Sequence, residues 1–177
     1  MIIDETKYNI LFLDFDGVIN NESLEDADKH ITIPNDFNCY NPDLVKNIKE
    51  IIHEYDFKLV ISSTWRKDYS IQKMNYILNE LMELDCVILD YTTKEYLDTG
   101  YKDRLEWTHG AISIDRGLQI TKWLEESKYD INYYVVIDDS LDAKFGHSDC
   151  FFEVNCSTGF DDNTLERFKI FMENILC

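Results

Sequence analysis

The sequence predicts an α/β protein built in three layers, a parallel sheet covered by helices on both faces, and three observations carry that expectation. Apolar runs of strand length recur along the chain, stretches with helical spacing lie between them, and the runs are nearly continuous in apolar residues instead of alternating. Continuous apolar strands mark a sheet buried on both faces, and strand–helix alternation makes such a sheet parallel.

The first run, "YNILFLD" (8–14), leads into "FDGVIN". A helix follows Asn41-Pro42, with Leu44, Ile48, Ile51 and Ile52 on one face. Next come "FKLVIS" (57–62), a helix carrying Ile71, Met74, Ile77, Leu78 and Leu81, and the strand "CVILD" (86–90). A helix with Leu118, Ile120, Trp123 and Leu124 precedes "YYVVID" (133–138) and "CFFEVN" (150–155). Leu165, Phe168, Phe171, Met172 and Ile175 make a C-terminal helix. Two stretches, 19–41 and 91–115, read as irregular covers over one domain spanning 1–177, and Tyr101, Trp107 and His109 give the second of them recognition chemistry.

Composition narrows the function classes. A chain of 177 residues, 45% hydrophobic and 14% aromatic, has the material for one packed core. Its apolar runs are too short to cross a bilayer, and Asp4 and Glu5 stand where a secretory signal carries Lys or Arg. Five cysteines at 39, 86, 150, 156 and 177 form no C-x-x-C pair, so a reduced cytoplasmic setting is expected. The net charge of −18 repels a polyphosphate backbone at long range and argues against broad nucleic-acid binding, while leaving room for a local cationic pocket.

In a parallel sheet, ligands bind at the carboxyl ends of the strands. There the chain places Asp14 and Asp16 after the first strand, "SSTWR" after the second and "DDS" after the fourth. Buried carboxylates are costly without compensating charge, and in extended chain residues i and i+2 point the same way. Asp14 and Asp16 are therefore expected to converge, and converging carboxylates point to a divalent cation. A calcium loop of the helix–loop–helix type is disfavoured, since Ile19 falls where glycine is needed and Val18 where an oxygen ligand is needed.

A D-x-D-G-V after the first strand, a Ser ending the second, a basic residue opening the helix before the fourth and paired acids ending the fourth resemble the haloacid dehalogenase-like superfamily. The resemblance implies a Rossmann-like fold with a minimal cap or none, and a phosphatase. It implies Asp14 as nucleophile, Asp16 as general acid and base, and Ser62 as the hydroxyl holding a phosphoryl oxygen, with Ser63 the alternative. Arg116 stands where the superfamily usually has Lys, with Lys122 on the same helix as the other candidate clamp. Asp14 and Asp139 are the implied ligands for Mg²⁺, with Asp138 either a co-ligand or a supporting partner behind them and Asp16 completing the set through its backbone carbonyl. "SSTWR" with "RGLQITKWL" is similar to the branch of these domains found in Swiss-army-knife RNA repair proteins, which implies phosphorylated nucleic-acid ends as substrates. Arg66 would then contact substrate phosphate, or else pair with a surface acid, and Tyr101 or Trp107 would stack on a base or pack under the loop. Two other classes compete: a phosphoreceiver, which would carry its acceptor Asp after the third strand, and a catalytically silent binding module.

Overall fold

The computed structural model describes residues 7–21, 23–93 and 115–176. Its centre is a five-stranded parallel sheet of β1 (Tyr8–Leu13), β4 (Phe57–Ile61), β5 (Ile88–Tyr91), β6 (Ile131–Asp138) and β7 (Phe151–Glu153), ordered β5-β4-β1-β6-β7. After β5 the chain returns to the other side of β1. The strand order therefore reverses around β1, which makes its carboxyl end the switch point where such sheets bind ligands.

Side-chain alternation along the strands sorts the core into two layers. Leu11, Leu13, Leu59, Ile61, Val135 and Ile137 face one way, into a cluster with Ile48 and Ile51 of α1 (Pro42–Glu54), Met74 and Ile77 of the second helix, and Phe168 and Met172 of α4 (Asp162–Leu176). Ile10, Phe12, Val60 and Val136 face the other way, against Ile120 and Trp123 of α3 (Asp115–Glu126). Each β1 residue from 10 to 13 is fully buried. That explains the unbroken apolar run: neither face of the central strand meets water.

Local chemistry sets the helix boundaries. The Asn41 side chain accepts from the Asp43 amide at 3.0 Å and Pro42 takes the first helical position, so α1 starts where its sequence signal stands. The second helix is α-helical only over α2 (Ile71–Asn75) and widens to a π-helix over Tyr76–Leu81, where the Met82 amide reaches back to the Ile77 carbonyl at 3.0 Å. The expected apolar face survives that change, since Met74, Ile77 and Leu78 are all buried.

The stretch 19–41 corrects the expectation of an irregular cover. It holds a 3₁₀ turn (Leu24–Lys29) and an antiparallel hairpin of β2 (Ile31–Thr32) and β3 (Cys39–Tyr40). Strands of two residues are too short to show alternation, so no sequence period revealed them. Ile33 is fully buried beneath the hairpin, and Asn38 donates to the Tyr69 hydroxyl at 2.7 Å. Of the stretch 91–115, Tyr91 ends β5, Asp115 opens α3, and 94–114 lie outside the described residues, with Tyr101, Trp107 and His109 among them.

No helix among the described residues is long and apolar enough to cross a membrane. Cys39, Cys86 and Cys150 are free thiols.

His147, given no role by its sequence spacing, is a buried tie between α3 and β6. Its Nε2 lies 2.9 Å from the Gly117 carbonyl and its Nδ1 3.1 Å from the Tyr134 hydroxyl. Burial lowers its pKa from 6.5. A depressed native pKa means the unfolded chain binds the proton more tightly, so the stabilisation is complete above about pH 6.5 and is lost as pH falls. The unfolding free energy of wild type minus that of His147→Gln, measured in urea from pH 8 to pH 5, should therefore shrink toward acid. A pH-independent difference would refute the linkage.

Candidate active site

Three strands deliver the site. The β1 ladder runs one step past its last strand residue on both sides, with the Asp14 amide bonded to the Ile137 carbonyl at 3.0 Å and the Ser62 amide bonded to the Leu13 carbonyl at 3.1 Å. That continuation draws Asp14, Ser62 and Asp138 together at the switch point. Among the described residues, Asp14, Asp138 and Asp139 bring carboxylate oxygens within 4.8 Å of one another.

Arg116, the second residue of α3, reaches into this cluster. Its Nη1 pairs with Asp14 Oδ2 and lies 2.6 Å from Asp138 Oδ2. Burial opposes the charge on Arg116, but Asp14 and Asp138 outweigh it, so its pKa is pushed up and it remains a cation. Lys122 points about 120° away around the helix axis and makes no ion pair among the described residues. Of the two basic residues left open in the sequence, Arg116 is the one that meets the acids.

The carboxylates remain under-compensated. Burial first, and Asp14 second, raise Asp138 well above the ordinary carboxylate range, with Arg116 only partly offsetting them. The same two causes raise Asp139 to about 6. Asp139 also packs against Gly17, whose φ is +74°, and a Cβ at that position would collide with the Asp139 carboxylate. Gly17 is needed there for its backbone conformation and for its lack of a side chain.

Ser62 and Ser63 separate cleanly. Ser63 Oγ accepts from the Trp65 amide and caps the 3₁₀ turn Thr64–Lys67. Ser62 Oγ is fully buried and has no hydrogen-bond partner among the described residues. A buried hydroxyl without a partner is costly, and this one lies at the carboxyl edge of the sheet beside Asp14.

Two expectations are corrected. Asp14 and Asp16 do not converge, because β1 ends at Leu13 and the chain turns from Asp16 onward, which breaks the two-residue alternation. Asp16 is exposed, and its carboxylate stands outside the cluster, bonded instead to Trp65, Asn20 and Thr64. Only its backbone carbonyl is left as a candidate ligand. Arg66 is neither a phosphate contact nor a surface salt bridge. It is 2% exposed, and its guanidinium donates to the carbonyls of Ser62, Ser63, Thr92 and Thr93 and to Gln119 Oε1, which uses all five of its N–H groups.

Sequence reasoning missed Trp65 and Asn20 beside Asp16. Trp65 carried a signal in the "SSTWR" motif, but nothing local tells an indole that packs from one that donates. It also missed a groove of about 460 Å³ that opens beside Asp139 and is lined by Glu153, Asn155, Cys156 and Arg167.

The residues present suit a hard divalent cation. Three carboxylates meet one guanidinium and every donor is oxygen, while burial and the Asp14 charge together raise Asp138 and Asp139.

Comparison with curated proteins returned no match. Comparison with solved structures returned none either. The model of one family, described as the HAD domain in Swiss Army Knife RNA repair proteins, matches residues 10–165 and so takes in β1 through the start of α4. At family level this means a HAD domain with hydrolase activity of the phosphatase type, in agreement with the parallel strand order and with the acids, hydroxyl and guanidinium at its switch point. The chain belongs to the HAD domains of Swiss Army Knife RNA repair proteins.

Proposed function

We propose that this protein is a Mg²⁺-dependent phosphomonoesterase acting on phosphorylated nucleic-acid ends through a covalent intermediate on Asp14. The observation that carries the reading is the meeting, at one sheet edge, of an Arg116-paired Asp14 with the buried, unpartnered hydroxyl of Ser62.

In this reading a carboxylate oxygen of Asp14 attacks phosphorus as the bond to the leaving oxygen breaks, and Asp16 gives that oxygen its proton. Asp16, now a carboxylate, takes a proton from water, whose oxygen attacks phosphorus and breaks the Asp14–phosphorus bond. Inorganic phosphate leaves and both acids return to their starting states. Arg116 stabilises the charge that builds on the phosphoryl oxygens, and Ser62 donates to one of them. Asp14 and Asp139, with the Asp16 carbonyl, would hold Mg²⁺, while Asp138 ties Arg116 to the cluster. When bound, the cation supplies charge withdrawal from the phosphoryl group.

The nucleic-acid end as substrate rests on the family description, and the groove beside Asp139, with the Arg167 guanidinium on its wall, gives room for the rest of such a chain. The net charge of −18 favours short ends over long duplexes.

The test is phosphate release with Mg²⁺ from 3'-phosphorylated oligonucleotides, 5'-phosphorylated oligonucleotides, mononucleotides, sugar phosphates and an aryl phosphate. Release from an oligonucleotide end that is faster than from the small esters, and abolished by EDTA, is the expected result. Preference for a small ester would replace the substrate class, and no hydrolysis of any ester would reject the activity. Mg²⁺ should also raise the melting temperature of wild type, and Asp139→Asn should lose most of that rise.

A further inference from the structure

Asp16 is exposed at a turn, a setting in which a carboxylate usually samples several rotamers. Here it does not swing freely. Trp65 Nε1 lies 3.1 Å from both of its oxygens, Asn20 Nδ2 lies 3.0 Å from Oδ1, and Thr64 Oγ1 lies 3.4 Å from Oδ2. The indole itself is packed on its sides: Trp65 is 2% exposed and lies edge-on against Phe15 at 5.0 Å and Tyr69 at 6.0 Å. Phe15 is fully buried and sits between the two acids in the chain, so the ring that anchors Trp65 belongs to the same turn that presents Asp14 and Asp16.

We propose that Trp65 is a positioning residue, whose indole N–H holds the Asp16 carboxylate in the orientation from which it exchanges a proton with the leaving group and with water. The proposal rests on the role given to Asp16 above. It accounts for a tryptophan whose ring is buried while its N–H emerges at the only exposed acid of the D-x-D pair. A phenylalanine would keep an aromatic ring against Phe15 and Tyr69, so that contact alone leaves the N–H without a purpose. Proton transfer requires the acid to stand within hydrogen-bond reach of the departing oxygen, and a side chain free to rotate is in reach only part of the time.

The discriminating experiment uses leaving-group dependence. An alkyl or ribose oxygen is a poor leaving group and needs the proton, whereas an activated aryl oxygen leaves as its anion without one. Trp65→Phe keeps the ring stacking and removes the donor. Its kcat/KM, which covers the steps through release of the leaving group and excludes the later water step that Asp16 also serves, should fall by about 10- to 100-fold for an alkyl or nucleotide phosphate, a part of what a positioned acid contributes. Its kcat/KM for a nitro-substituted aryl phosphate should fall less than about threefold, because that oxygen leaves without a proton. Asp16→Asn should show the same split more strongly, and adding Trp65→Phe to it should change little, because the two act through one carboxylate.

Equal loss on both esters, or a full further loss in the double variant, would overturn the proposal and leave Trp65 a packing residue. Should Trp65→Phe fail to fold, Thr64→Val, which removes a weaker donor to the same carboxylate, should show the same split at smaller size; no split there counts against the proposal. Wild-type turnover of the aryl ester that vanishes in Asp14→Asn tests the underlying activity separately, so failure of that reading is told apart from failure of this one.

Discussion

Asp14→Asn is expected to lose phosphate release by at least about a thousandfold while gaining thermal stability in the absence of metal. The loss follows from removing the only atom proposed to attack phosphorus, and losses of that order or more are typical when a nucleophile is removed. The gain follows from the electrostatics of the resting site. Asp14 is 3% exposed, and its charge is the main electrostatic cause, after burial, of the raised Asp138 and Asp139. An amide is nearly isosteric and keeps an acceptor for the Phe15 amide, which now bonds Asp14 Oδ1 at 2.8 Å. With one charge gone, Arg116 still pairs with Asp138 and the remaining acids repel less. A melting curve recorded in EDTA should shift upward, and the phosphate assay should fall to background. A fall in both would mean that the Asp14–Arg116 pair holds the fold together, and that loss of structure explains the inactivity.

Arg66→Lys should cost about 3–5 kcal/mol of stability and most of the activity, although it keeps the positive charge. The guanidinium joins the turn after β4 (Ser62 and Ser63), the segment after β5 (Thr92 and Thr93) and Gln119 on α3. A lysine has three donors on one atom and no planar fork, so several buried acceptors would lose their partners. Because Arg66 Nη1 donates to the Ser62 carbonyl at 2.6 Å, the same change would also release the strand end that aims the Ser62 hydroxyl. Urea denaturation gives the stability loss directly. A change of less than 1 kcal/mol would mean that water replaces the guanidinium without penalty. Despite burial and the neighbouring Arg116, which lower its pKa to about 10, Arg66 is a cation at neutral pH and keeps every donor in use.

Both variants sit in motifs that stand out in the linear chain, yet the sequence spoke differently about each. Asp14 was legible because its signal is periodic and local: an unbroken apolar run ends in an acid, and apolar runs reflect burial of a strand on both faces. The same logic located β4, β5, β6 and the four helical faces. It failed for the two-residue strands β2 and β3 and for the π-helical half of the second helix, where no period of adequate length exists. It also failed for the direction of Asp16, because the alternation rule holds only while the chain stays extended, and β1 stops at Leu13.

By itself, then, the order of residues determined the layered architecture, the sheet edge that carries the chemistry and the residue types available there, since all of these follow from spacing along one chain. Only the folded molecule decided which of two serines is unpartnered, which of two basic residues meets the acids, that Arg66 is a buried clasp, and that Trp65 grips Asp16. Those outcomes depend on hydrogen-bond and charge partners from separate strands and helices, and which donors face which acceptors is settled only when β1, β4 and β6 bring their ends together.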